Sequence, residues 1–398
     1  MVDQALSGVR VLDVSTVLAA PVTATLLGDF GADVVKVEEP GRGDFTRLGA
    51  DRPGGRSLQW SQEGRNKRSV TLNLRTERGQ EILRGLVPHF DVVITNYRPP
   101  TLEEWGMGPE ALQRVNPRAI LVYLTGYGLT GPYRDRGAFD RIASAFSGLT
   151  YVSGDPAGPP VRSGYSVIDF MSAYLAAFAT MTALYHRDVH GGPGQVIDLA
   201  LYEAGFRASE NALLNYSAHG VVRERLGNKN PYIVPATDFD TADGRRVSIH
   251  AGTEPLFLRL CAVMGRPDLA EDERFASPIA RIGNQDELYA VIAEWTSGMT
   301  ADDVVKLLSD NDIPASVIMS IADIAADPHY RTRGTVVEVE DPDHGRISMA
   351  GPLPRMSATP GRIRSLGPEL GASTAAILGE LLGLDADDLA DLRTDGII

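Results

Sequence analysis

The sequence predicts an α/β protein: an open, parallel, Rossmann-like sheet forms a large domain, and a smaller α/β domain follows it. Three observations carry this. Strand-like and helix-like runs alternate from residue 9 to residue 124. The first strand, helix and strand fit into about thirty residues, the size of one βαβ unit, so the two strands run parallel. After about Asn228 the texture changes to a hairpin followed by helices.

In chain order, 9–14 reads as a strand and 21–30 as a helix, with Pro21 in its first turn and Gly31 beyond its end. Strands follow at 33–37, 70–74, 91–96 and 119–124, separated by helices at 77–87 and 109–114. The run 170–185 carries no charge, no Gly and no Pro, and its apolar residues fall on every side, so it reads as a helix buried all round. At sixteen residues it is shorter than the roughly 20 needed to cross a bilayer. Further on, Ala242-Asp243-Gly244 turns a hairpin within 238–249, and helices follow at 254–263, 285–297 and 301–309. A second hairpin is expected at 335–340 and 346–349, then a closing helix from Ser373 to Leu382. The domains expected are a large one at 1–205, a linker at 206–232, a small one at 233–325, and a segment at 326–398 that returns to the large domain.

Composition narrows the class. A hydrophobic fraction of 43% and a charged fraction of 23% are those of an ordinary globular chain. The formal charge of −14 argues against non-specific binding to nucleic acid or to anionic membranes. Cys261 is the only cysteine, which excludes intrachain disulfides and cysteine-based zinc sites. The opening M-V-D-Q-A-L-S-G has neither the basic nor the apolar region of a secretory leader, so a cytoplasmic protein is expected.

Candidate site residues come from strand ends, where ligands of open α/β sheets collect. Val17, Leu18 and Pro21 follow the first strand, Asn96, Tyr97 and Arg98 the 91–96 strand, and Tyr127 the 119–124 strand. The dinucleotide fingerprint is missing. A basic cluster stands out in the acidic chain: Arg47, Arg65, Lys67, Arg68, Arg75 and Arg98. It is either a solvated rim or a site for a ligand carrying several phosphates, which arginine suits. Asp169 opens the long apolar helix. It is either that helix's cap or a partly desolvated carboxylate, kept ionised by the helix N-terminus, able to act as a nucleophile.

Several blocks in order and spacing resemble the family III CoA-transferases, a family that includes formyl-CoA:oxalate and carnitine CoA-transferases and the α-methylacyl-CoA racemases. They are Leu6-Ser7-Gly8-Val9-Arg10-Val11-Leu12-Asp13, Gly31-Ala32-Asp33-Val34-Val35-Lys36-Val37-Glu38, Asn66-Lys67-Arg68-Ser69-Val70, Asp91-Val92-Val93-Ile94-Thr95-Asn96-Tyr97-Arg98-Pro99, Gly192-Pro193-Gly194-Gln195-Val196-Ile197-Asp198 and Arg333-Gly334-Thr335-Val336-Val337. Gly164 to Asp169 matches the family's G-x-x-x-x-D segment. The resemblance implies that Asp169 takes an acyl group from an acyl-CoA as a mixed anhydride, becomes an aspartyl–CoA thioester, and hands CoA to a carboxylic acid, without a metal. It places CoA against Val17, Leu18, Leu72, Arg75, Asn96, Tyr97, Arg98, Tyr127 and Phe139, with Lys67 and Arg68 nearby. It also implies ring-like subunits interlocked as a homodimer.

The racemase branch carries a histidine where Gly137-Ala138-Phe139-Asp140 has Phe139. Moving a proton beside a thioester needs a base near neutrality, which phenylalanine cannot supply, so transfer is favoured over racemisation. Gly252-Thr253-Glu254-Pro255 is faintly similar to that branch, but Glu254 reads as a residue at a helix N-terminus. Leu18 stands where formyl-CoA transferase has a glutamine, and Glu39 and Glu104 where it has arginines. An isomerase and a silent acyl-CoA-binding homologue are the rival readings.

Overall fold

A computed structural model describes residues 4–48 and 57–398. Met1–Asp3, on which the leader reading partly rests, lie outside the described residues. The chain divides into two compact units, one of residues 1–149, 163–218 and 328–398, the other of 150–162 and 219–327. The second unit therefore takes in 219–232, expected as part of a linker, as well as 150–162, expected in the large domain. The first part of the stretch expected as linker is helical, at the end of Leu201–Arg207 and over Ala212–His219.

In the first unit β1 (Arg10–Val14), β2 (Asp33–Glu38), β3 (Lys67–Thr71), β4 (Val92–Thr95), β5 (Ile120–Thr125) and β6 (Val196–Ala200) form one parallel sheet in the order 3-2-1-4-5-6. This is the doubly wound arrangement, with its switch point between β1 and β4. The strand expected at 70–74 sits earlier, at 67–71. Its first residues are charged, and the first of those charges is neutralised inside the fold: the Lys67 ammonium lies 2.9 Å from the Asp13 carboxylate and donates to the Pro21 carbonyl at 2.7 Å. A pattern search for apolar runs passes over such a strand. It also passes over β6.

Alternate residues of each strand feed opposite faces, as the pleat requires. Leu12, Val14, Val35, Val37, Val93, Leu121 and Tyr123 build one core. Val11, Val34, Val92, Ile94, Ile120, Val122 and Leu124 build the other. The helices of this unit up to residue 219 are α1 (Ala19–Asp29), α2 (Leu58–Glu63), α3 (Glu77–Leu86), α4 (Pro99–Glu104), α5 (Pro109–Val115), α6 (Asp140–Phe146), α7 (Leu149–Val152, extending into the second unit), α8 (Val167–Val189), α9 (Leu201–Arg207) and α10 (Ala212–His219). The first core is closed by α3 and by two C-terminal helices, Thr374–Leu382 and Ala386–Thr394, which insert Ile377, Leu378, Leu389 and Leu392. Each such buried side chain stabilises the fold by roughly 1.5–3 kcal/mol.

The second core is covered by α1 and α8, which pack on each other and on the sheet. α8 departs from expectation in two ways. It runs for 23 residues, long and apolar enough to span a membrane by length and composition, so it is packing on α1, β5, β6 and α9 that makes it a core helix. It is also not buried all round: Tyr174 is 56% exposed and Phe178 71%.

In the second unit β7 (Ala236–Asp240), β8 (Arg246–His250) and β9 (Ala315–Val317) form an antiparallel sheet. Helices Glu254–Val263, Gln285–Thr296 and Ala301–Ser309 contribute Phe257, Leu260, Leu288, Ile292, Val304 and Leu308 to its core. The hairpin expected near 335–349 forms from Val336–Asp341 and Gly345–Ala350 and belongs to the first unit.

Candidate active site

A cleft of about 560 Å³ opens in the first unit beyond the carboxyl ends of the sheet strands. It is lined from β1 by Thr16, Val17 and Leu18, from β2 by Glu38 and Glu39, from β3 by Leu72 and Arg75, from β4 by Asn96, Tyr97 and Arg98, and from β5 by Leu124 and Gly126. Arg136, Ala138 and Phe139 come from the segment ahead of α6, and Asp169 from the first turn of α8. This is the crevice where ligands of doubly wound sheets bind. Nine residues expected at the site share this one cleft: Val17, Leu18, Leu72, Arg75, Asn96, Tyr97, Arg98, Phe139 and Asp169.

Three do not line it. Lys67 is buried in its pairing with Asp13. Arg68 forms a bidentate pair with Asp33 at the opposite, amino-terminal end of the sheet. Tyr127 packs edge-on against Phe146 and Tyr133, with centroids 5.2 and 5.9 Å away. The basic cluster likewise disperses. Arg65 pairs with Asp29, and Arg47 pairs with Glu38 and stacks over Trp60 at 3.8 Å. These guanidinium groups neutralise carboxylates of the fold. Arg75 and Arg98 remain at the cleft, Arg75 with its side chain 71% exposed and 3.5 Å from Glu39.

Asp169 is not the cap of α8. That position is Ser166, whose side chain makes no capping bond, and Asp169 is the third helical residue. The open N-terminus is instead met from a distance: the buried Asp140 carboxylate, at the start of α6, accepts from the amide of Ile168 at 2.8 Å and that of Asp169 at 3.4 Å. Asp169 is 8% exposed, and among the described residues no donor bonds its carboxyl oxygens. Burial, and then the negative charge of Asp140, push its pKa up to about 7. The expectation of a carboxylate held ionised by the helix N-terminus is thus corrected. Desolvation and a like charge outweigh the helix dipole, leaving a carboxyl group poised at neutrality and facing a cleft.

Val17 adopts φ +71°, a region that strains a β-branched side chain. Such conformations cost roughly 1–3 kcal/mol and persist where surrounding contacts dictate them, commonly at functional sites. Sequence reasoning weighed Phe139 and passed over its neighbour Asp140. An aspartate opening a helix was the available signal, but its contact with a helix 28 residues later is tertiary. Arg136 and Trp105 also line the cleft, the first 3.8 Å over the Tyr133 ring and the second edge-on to Tyr97. Among the described residues no group of three His, Cys, Asp or Glu side chains is arranged to hold a metal ion.

By fold this is a doubly wound α/β protein with its ligand cleft at the switch point. The chain belongs to CoA-transferase family III, whose model matches residues 6–374, and it is a CoA-transferase. It is 43% identical to a succinyl-CoA–D-citramalate CoA-transferase of Chloroflexus aurantiacus over 99% of this chain and 98% of that one. It is 36% identical to a succinate–glutarate CoA-transferase of Agrobacterium fabrum over 94% and 95% of the two chains. A crystal structure of a CAIB/BAIF family protein from Brucella suis superposes with a TM-score of 0.83 at 34% identity, covering 95% of this chain and all of that one.

Proposed function

We propose that the enzyme moves CoA from succinyl-CoA to a short dicarboxylic acid through Asp169. The observation that carries this reading is a buried carboxyl group, Asp169, that lines the cleft without the cation partner its buried neighbour Glu38 has in Arg47, in a chain whose relatives are named as transferring CoA between dicarboxylic acids. The Asp169 carboxylate attacks the thioester carbonyl, the C–S bond breaks, and a mixed anhydride forms with release of CoA thiolate. The thiolate attacks the aspartyl carbonyl, freeing succinate and leaving an aspartyl–CoA thioester. The acceptor carboxylate attacks that thioester, giving a second anhydride and thiolate. The thiolate then takes the acceptor's acyl group, and Asp169 returns as carboxylate. Each step exchanges one activated acyl bond for another, so no barrier is that of a single direct displacement.

The cleft suits this ligand. Arg75, Arg98 and Arg136 offer guanidinium groups to phosphates, while Leu18, Leu124, Ala138 and Phe139 give an apolar lining for the pantetheine arm and acyl chain. Racemisation is disfavoured at both positions that resemble the racemase branch. Phe139 cannot act as a base, and Glu254 is paired with the buried Arg281 at 3.0 Å. Incubation with succinyl-CoA followed by hydroxylamine is expected to label the peptide containing Asp169. In a mass-spectrometric panel, citramalate, malate and glutarate are expected to become CoA esters ahead of oxalate or fatty acids. Labelling elsewhere, or no transfer to any dicarboxylate, would sink the reading.

We also propose that the enzyme is a homodimer. The outer face of α8 presents Tyr174, Phe178, Tyr185 and Val189 to solvent, and Phe206, Leu213, Leu214 and Tyr216 are also exposed in the helices that follow. Such an apolar extent is unusual for a monomer's surface. Light scattering is expected to give twice the chain mass of 42.8 kDa, and Phe178→Asp to reduce it towards the monomer.

A further inference from the structure

The Asn96 side chain is committed to backbone. Its amide oxygen accepts from the Thr16 N–H at 2.9 Å, and its amide nitrogen donates to the Thr16 carbonyl at 2.6 Å. Thr16 lies beyond the last ladder pair of β1 and β4, Val14 with Thr95, so Asn96 supplies one more strand-like pairing where the sheet has ended. The preceding residue is held as well. The Ser15 carbonyl accepts from the buried Lys36 ammonium at 2.7 Å, and the Ser15 hydroxyl donates to the Asp13 carboxylate. The residue after the pairing is Val17, at φ +71°, and Thr16, Val17, Leu18 and Ala19 form one wall of the cleft that contains Asp169.

We propose that Asn96 is a positioning residue: by pairing with both backbone groups of Thr16 it holds the strained Thr16–Ala19 wall of the cleft that Asp169 also lines, and its amide is not a binding group for CoA. A side chain whose donor and acceptor are both engaged within the fold has little left to offer a ligand. A β-branched residue at positive φ needs a neighbour fixed on at least one side, because an unrestrained loop relaxes to negative φ. Misplacing a wall of a reacting site by an ångström slows chemistry far more than it weakens binding of a large ligand.

The inference rests on acyl transfer at Asp169, and its test separates the two. Wild-type and Asn96→Ala enzymes are compared by calorimetric binding of CoA, by single-turnover acylation with succinyl-CoA, and by hydrogen–deuterium exchange of the peptide from Arg10 to Ala24. The expected result is a CoA dissociation constant within about threefold of wild type, acylation slowed by roughly 30-fold or more, and exchange at Thr16 and Val17 faster by about tenfold or more. Adding Val17→Gly, which takes positive φ without strain, is expected to restore part of the acylation rate. A CoA dissociation constant raised tenfold or more, with acylation at saturation unchanged, would overturn the proposal, and so would unchanged exchange in that peptide whatever the rates. Should Asn96→Ala not fold, Asn96→Asp keeps the acceptor for Thr16 N–H and loses the donor, and the same three readings decide. Wild-type enzyme that is never acylated would instead refute the Asp169 route and leave the exchange measurement to judge the clamp.

Discussion

Asp169→Ala is expected to lower CoA exchange by at least about 10⁴-fold, the scale on which loss of a covalent nucleophile is felt. Asp169→Asn is expected to do the same and also to make the protein more stable above neutral pH. The sign follows from the raised pKa. The folded protein holds the Asp169 proton up to about pH 7, whereas the ordinary value is 3.8. Between those two values the folded state binds more protons than the unfolded one, so stability falls as pH rises through that window and stays lowered above it. Ionised Asp169 then costs up to about 4 kcal/mol. Asparagine cannot ionise, so its melting temperature should exceed that of wild type at pH 8 and match it at pH 4. Equal melting temperatures at pH 8 would mean that the carboxyl is not desolvated, and normal turnover in Asp169→Ala would end the mechanism.

The second large effect is on pH dependence. On the proposed route the attacking form of Asp169 is the carboxylate, so kcat/KM for succinyl-CoA is expected to fall tenfold per pH unit below an acid limb near 7. Burial is the first cause of that position and Asp140 the second. The other charged groups lining the cleft are Glu38, Glu39, Arg75, Arg98 and Arg136. Asp140→Asn keeps an oxygen for the Ile168 amide and removes the charge, so it should move the limb to lower pH while the protein still folds. At pH 6 the variant should then exceed wild type several-fold in kcat/KM. Rate profiles from pH 5 to 9 for both proteins make the comparison, and coincident limbs would show that Asp140 acts as a cap alone.

Much of this architecture is written in local pattern. The alternation of β1, α1 and β2 and the continuous apolar character of β4 and β5 are read directly, because strands buried on both faces are apolar at nearly every position. β3 is misread for a physical reason: Lys67, Arg68 and Ser69 open the edge strand of the sheet, and the partners that neutralise or bond them, Asp13, Asp33 and Glu38, lie on other strands. The same blindness dispersed the basic cluster. Nearness of Arg65, Lys67 and Arg68 in sequence does not tell which carboxylate each will meet. At the site, strand-end position led to Asn96 and Arg98, and the match of Gly164–Asp169 to the family's segment led to Asp169, but the pairing of Asn96 with Thr16 and of Asp140 with the first turn of α8 are contacts between distant segments that no spacing encodes.

The closing of the first core by residues 374–392 bears on how the chain is made. During synthesis the nascent sheet leaves the ribosome with one apolar flank covered only in part, by α3 and its neighbours, and about 170 further residues must be translated before the last of its cover arrives. Removing the last two helices is therefore expected to expose apolar surface on the domain that begins at the amino end.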